Sequence, residues 1–240
     1  MKFINIIFLL FVFLLGCEDN KKTPLAEPLK LSDKKEIKLK DSPSKQEVLK
    51  KVSNGKLESL NSDNVVELLT QYGKENPENK VRIKTTFGNI EITLFKNTPL
   101  HRANFIYLVK QHYFDKTFFH RVVPNFIIQG GNSDNASTNK KRAKIGKYRI
   151  PFEIHPKNKH RRGTLSGAKY YRDNPDNKSE PYEFFIFLGP QSSTLHLNGS
   201  YTVFGKVTQG MNVVDKIANL PSDDGDWPLD NVYIYAEIIE

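Results

Sequence analysis

Cysteine is nearly absent: one occurs in 240 residues, at Cys17, so no disulfide can brace the fold and its stability must come from a packed core. The apolar run at residues 6–16 falls short of the roughly 20 residues that a spanning helix needs. It follows Lys2 and has the length of a signal-peptide core. Metal-site spacing is missing too. His101, His112, His120, His155, His160 and His196 include no short pair and no HExxH, so no metal is implied. Gly163-Thr164-Leu165-Ser166-Gly167 lacks the first glycine spacing of a nucleophile elbow. Asp223, Asp224 and Asp226 lie in a Gly- and Pro-containing stretch beside Trp227, where turn formation explains them better than acid–base chemistry. No internal repeat is present. What remains is 38% hydrophobic and 26% charged residues with 14 Gly and 13 Pro, the make-up of a turn-rich globular domain with polar extensions.

The N-terminal run ends in Leu14-Leu15-Gly16-Cys17, which resembles the bacterial lipobox. That resemblance implies a signal peptide over residues 1–16 and lipidation of Cys17. A thiol carrying more than one acyl chain gives stable membrane anchoring where a single chain is marginal. Residues 17–61 are rich in lysine, carry Pro24, Pro28 and Pro43, and read as a flexible tether. Residues 62–79 read as a short helix and linker. Val65, Leu68, Leu69 and Tyr72 fall on one helical face, Ser62 or Asp63 can cap the start, and Gly73 can end it. Pro77 marks the linker.

A main domain is expected over residues 80–240. Val81, Ile83 and Thr85 alternate, Phe87-Gly88-Asn89 reads as a turn, and Ile90, Thr93, Leu94 and Phe95 continue as the second arm of a hairpin. Thr98-Pro99 predicts a helix start, with Phe105, Leu108, Val109 and His112 as its apolar face. A second helix is expected over residues 212–219. Short strand-like segments follow at 184–188, 202–207 and 232–239. Many short strands with two helices predict a closed or nearly closed sheet capped by helices.

Residues 119–131 read FHRVVPNFIIQGG, followed by EFFIFLGP from Glu183 and LNGSYTVFGKVTQGMNVVDKI from Leu197. In sequence and order these resemble the cyclophilins, and the resemblance extends over about residues 81–240. It implies a mainly β fold, an eight-stranded antiparallel barrel capped by two helices, with the short extra helix outside it. It also implies a peptidyl-prolyl cis-trans isomerase that needs no cofactor. Rotation about a peptide bond faces a resonance barrier of about 18–20 kcal/mol. Lowering it requires an apolar grip on the proline ring, an anchor for the flanking backbone, and a donor near the prolyl nitrogen.

Carried onto this chain, the resemblance makes Arg121 the catalytic arginine, a fork of donors charged at any relevant pH. Phe126 and Ile127 match pocket positions, Phe185 the pocket floor, Leu197 an aliphatic wall, Gln129 the amide that bonds substrate backbone, and Ala168 a groove residue. Tyr201 stands where many members carry histidine. Three positions depart: His196 replaces a common tryptophan, Lys169 a groove asparagine, and Glu183 a second glutamine. Glu183 is an acceptor only, and two roles are open to it, holding Arg121 or competing with substrate carbonyls. The expected partners are X-Pro segments of unfolded or folding envelope proteins and a membrane reached through Cys17, not nucleic acid. The expected state is monomeric, in the cell envelope. The rival expectation is a membrane-tethered binding module of the same fold with little turnover.

The net charge of +9 is local. Residues 140–162 hold ten Lys or Arg against one Glu, leaving 26 of each sign elsewhere. These loops are expected either to attract acidic segments or anionic surfaces, or merely to keep the domain soluble.

Overall fold

Val81 and Ile83 turn inward while Lys80, Arg82 and Lys84 turn out, the alternation of a strand buried on one face. The computed structural model describes residues 52–53 and 56–240, with side chains from Leu57 onward. The expected signal peptide, Cys17 and most of the expected tether lie outside the described residues. Ten strands are present among them: β1 (Val52–Ser53), β2 (Lys56–Leu57), β3 (Lys80–Thr85), β4 (Gly88–Leu94), β5 (Thr117–Val123), β6 (Ile127–Asn132), β7 (Thr164–Gly167), β8 (Phe184–Phe187), β9 (Val203–Gln209) and β10 (Tyr233–Ile238). The first two pair only with each other. The other eight close a barrel in the order β10-β3-β4-β9-β7-β8-β6-β5, every pairing antiparallel. Closure removes the free sheet edges that invite aggregation. The expected hairpin is β3–β4, with Thr85 opposite Gly88.

Among the described residues four α-helices accompany the barrel, not two and one: α1 (Val65–Glu75), α2 (Pro99–Lys110), α3 (Ala136–Ile145) and α4 (Met211–Ala218). The unexpected one is α3, which lies inside the segment read as basic loops. It buries only Thr138 and Ile145, so no apolar stripe announces it. Cations hold it instead. Lys141 Nζ donates to the carbonyls of His112, Tyr113 and Asp115 at 2.7, 3.3 and 2.9 Å. The Arg142 guanidinium lies over the Tyr182 and Tyr113 rings at 5.2 and 5.9 Å.

Helix α2 starts at Pro99 as expected, but its buried residues run continuously from His101 to Val109. A helix apolar on one face would leave the other wet; this one is enclosed. His112 lies beyond its end, at φ 52°. Thr98 makes no side-chain cap. The free N–H groups of Leu100 and His101 go instead to the Glu153 carboxylate, each at 2.9 Å. The opposite flank of α2 is covered by α1. Tyr72 meets Tyr107 edge-on at 5.1 Å. Arg102, buried between the helices, donates to the carbonyls of Gly73, Asn76 and Glu78 at 2.7, 2.7 and 3.1 Å. It satisfies carbonyls that the end of α1 leaves unpaired, and α1 runs past Gly73 to Glu75.

The last residues of the segment expected as a tether are anchored in the fold. Leu57 and Leu60 are buried in the main core, and Leu60 N–H bonds the Ile145 carbonyl at 2.8 Å. Gly146, at φ 137°, makes that docking possible: a Cβ there would stand 2.0 Å from the Leu60 carbonyl oxygen.

Candidate active site

Alternation along β6 and β8 sends side chains into two different apolar clusters. Ile128, Phe184 and Ile186 join the barrel interior, whereas Ile127, Phe185 and Phe187 face the other way. There they pack with Ala168, Leu197 and Tyr201, and partly buried Val123 and Phe126 complete the group. The second cluster is therefore a small core outside the barrel wall. Its roof comes from the loop between β8 and β9, where Leu197 is buried and the Tyr201 ring meets Phe185 edge-on at 5.6 Å.

Register places the polar groups beside it. Arg121 stands opposite Gln129, and Gln129 opposite Phe185, so the three form one rung across β5, β6 and β8. Strand β5 is irregular here. Phe119 pairs with Gly130 and Arg121 with Gln129, which leaves His120 as the surplus residue of a β-bulge. Bulges re-aim neighbouring side chains.

A cavity of about 100 Å³ sits on this rung. Arg121, Gln129 and Lys169 supply its polar lining, and Phe126, Ile127, Ala168, Phe185, Leu197 and Tyr201 its apolar lining. Nine of the eleven residues singled out in the sequence thus meet at one cavity. Glu183 and His196 do not line it. His196 is exposed, its ring 6.1 Å from that of Phe126.

Glu183 does not take the first role left open for it, since it does not hold Arg121. It accepts from Gln129 Nε2 at 3.0 Å and lies 3.5 Å from His120 Nε2 and 3.7 Å from Arg142. Burial opposes its charge, but His120, Arg142 and Gln129 outweigh burial and hold its carboxyl below the ordinary carboxylate value. The bulge explains the correction, since it is His120, not Arg121, that reaches Glu183.

Arg121 is held by a residue read only as part of a turn. Its Nε donates to Asp226 Oδ2 at 3.1 Å, while Asp223 keeps the turn itself by accepting from the N–H groups of Gly225 and Trp227. Asp226 has φ 65°, a conformation Asp tolerates, and its carbonyl accepts the Val122 N–H at 2.8 Å. No described side chain bonds the Arg121 Nη nitrogens, which leaves that end of the fork for a ligand.

Three neighbours complete the site, and of these only His160 escaped the sequence reading. Tyr171 lines the cavity. Lys169 extends over the Tyr201 ring at 4.6 Å and donates to Asn177 Oδ1; burial lowers its ammonium pKa. His160, fully buried, stacks on Phe185 at 5.9 Å with the ring planes 3° apart. Its Nδ1 contacts Asn198 Oδ1 at 2.9 Å and its Nε2 contacts Ser166 Oγ at 3.0 Å. Burial lowers its pKa, so the neutral ring props the pocket floor.

Residues 80–237 match the family model described as cyclophilin type peptidyl-prolyl cis-trans isomerase. A peptidyl-prolyl cis-trans isomerase of Acinetobacter baylyi is 40% identical over 147 residues, covering 59% of this chain and 73% of that protein. A peptidyl-prolyl cis-trans isomerase-like 3 of Dictyostelium discoideum is 34% identical over 160 residues, covering 66% and 94%. Among solved structures, a cyclophilin type isomerase of Cryptosporidium parvum, determined in the presence of the dipeptide Ala-Pro, has a TM-score of 0.55 at 32% identity. It covers 67% of this chain and 99% of that one.

Proposed function

The chain belongs to the cyclophilin-type peptidyl-prolyl cis-trans isomerase family and is an isomerase of that type; from that premise we propose that X-Pro segments bind at the Arg121–Gln129–Phe185 rung. The proline ring enters the 100 Å³ cavity and rests on Phe185, with Phe126, Ile127 and Leu197 around it. Arg121 is the catalytic residue. Its Nη donors face the prolyl nitrogen as the bond twists and the lone pair leaves conjugation, so they stabilise the transition state more than either ground state. Asp226 fixes the fork by its Nε.

Gln129 anchors the backbone. Glu183 can only accept, so the Gln129 amide nitrogen faces it and Oε1 is left to take a substrate N–H. Ala168, Lys169 and Tyr201 shape the groove. No step needs a nucleophile, a metal or a cofactor.

Residues 1–17 carry the cellular side of the reading: export, lipidation at Cys17, and a monomer tethered to an envelope membrane that assists folding of exported proteins. The observation that supports catalysis over mere holding is Arg121, backed by Asp226 with its Nη groups unclaimed. Exchange NMR of an Ala-Pro peptide with the full chain tests it. Faster cis–trans exchange is expected; binding without acceleration would transfer the case to a tethered binding module. Labelling with radioactive palmitate, lost in Cys17→Ser, tests the anchor.

A further inference from the structure

A second and larger cavity, about 480 Å³, lies between α1 and the loops beside the first. Its size falls in the range of about 300–1,000 Å³ usual for ligand sites. One wall is Ser62, Val65 and Val66 of the N-terminal segment; the other includes Tyr148, Pro151 and Tyr170. Val66 is 49% exposed and Tyr170 59%, large apolar surface left open to solvent. Lys169 and Tyr171 line the Arg121 cavity while Tyr170, between them, lines this one, so a single stretch of chain parts the two.

Its charge is one-sided. Lys147, Arg149 and Lys178 line it against one carboxylate, Glu180. Arg149 pairs with Glu180 at 3.2 Å, and Lys178 with Asp176, outside the cavity, at 3.2 Å. Lys147 is exposed and has no partner among the described residues. Lys140 and Lys144 precede it within α3, also exposed and with no partner among the described residues. Like charges four apart on a helix are destabilising. The cavity lining itself carries three cations against one carboxylate, with Lys147 the cation left without a partner among the described residues, and an anionic ligand would offset that surplus.

We propose that this groove binds an acidic, extended stretch of the same polypeptide whose X-Pro bond occupies the Arg121 pocket, a proposal that rests on reading that pocket as the X-Pro site. Glutamates or aspartates meet Lys147 and Lys178, and an apolar side chain lies between Val66 and Tyr170. Because α1 forms one wall, the N-terminal segment takes part in choosing clients.

Three fluorescent peptides test this by anisotropy with the full chain: Ala-Pro flanked by glutamates, Ala-Pro flanked by glutamines, and Ala-Ala flanked by glutamates. The first is expected to bind about tenfold tighter than the second, and the third to bind measurably without proline. Lys147→Glu with Lys178→Glu removes the glutamate advantage and leaves the glutamine peptide unchanged, which also shows that the fold is intact. Lys216→Glu, an exposed change on α4, leaves the advantage in place. Equal affinities for the first two peptides, or a loss as large in Lys216→Glu, would overturn the groove. If the glutamine peptide fails to bind while the proline-free peptide binds through Lys147, the pocket reading falls and the groove stands.

Discussion

Gln129 donates its amide N–H to Glu183 Oε2 at 3.0 Å, and this bond sets which end of the Gln129 side chain meets a bound chain. Arg121, the next residue along the rung, is oriented from the opposite side by Asp226. The two groups expected to touch substrate backbone and prolyl nitrogen are thus each held by a separate carboxylate. That division governs how variants should behave.

Arg121→Ala removes the donor itself. Losing one preorganised donor costs about a hundredfold or more in rate, so exchange NMR should find kcat/KM at least about a hundredfold down with the fold unchanged. Arg121→Lys keeps the charge without the fork and should recover only a small part.

Asp226→Asn keeps a residue tolerant of positive φ but weakens the hold on Arg121 Nε. The pair is 40% and 41% exposed, so solvent screens it and its worth is about 1 kcal/mol or less. A two- to fivefold fall in kcat/KM is expected, with peptide affinity little changed.

Glu183→Gln exchanges a buried anion for a neutral amide beside His120 and Arg142. At pH 7 the variant should be less stable by about 1–2 kcal/mol in urea unfolding. The folded pKa of Glu183 lies below its ordinary 4.5, so its contribution is full above that value and is lost as pH falls through the folded pKa. The gap between wild type and variant should therefore close below pH 4.5.

Arg102→Met keeps an apolar stem but leaves the carbonyls of Gly73, Asn76 and Glu78 without their donor. A loss of about 2–4 kcal/mol is expected. Hydrogen exchange should quicken over residues 65–75, while kcat/KM for a short Ala-Pro peptide holds.

What was legible in the sequence followed strand alternation and the motif order. Arg121, Gln129 and Phe185 were all named from it, and the barrel brings them to one rung because their strands neighbour in register. Asp226 was not legible as a site residue. It lies 105 positions from Arg121, and their contact forms only once the barrel has folded. The role of Glu183 was missed because a one-residue bulge decides whether His120 or Arg121 reaches it. Helix α3 left no apolar period to find, being held by Lys141 on carbonyls and Arg142 on aromatic rings. The docking of α1 was not legible either, because the bonds from Arg102 to the Gly73, Asn76 and Glu78 carbonyls form only once the two helices meet.

The docking of Leu60 on Gly146 also defines a path for mechanical load. Any pull on the N-terminal segment reaches the main core at Leu57 and Leu60 and meets the Leu60–Ile145 bond before it reaches a barrel strand. That bond and the α1–α2 contact lie between the N-terminal segment and the first barrel strand, so a load from that side falls on them before it falls on the rung carrying Arg121.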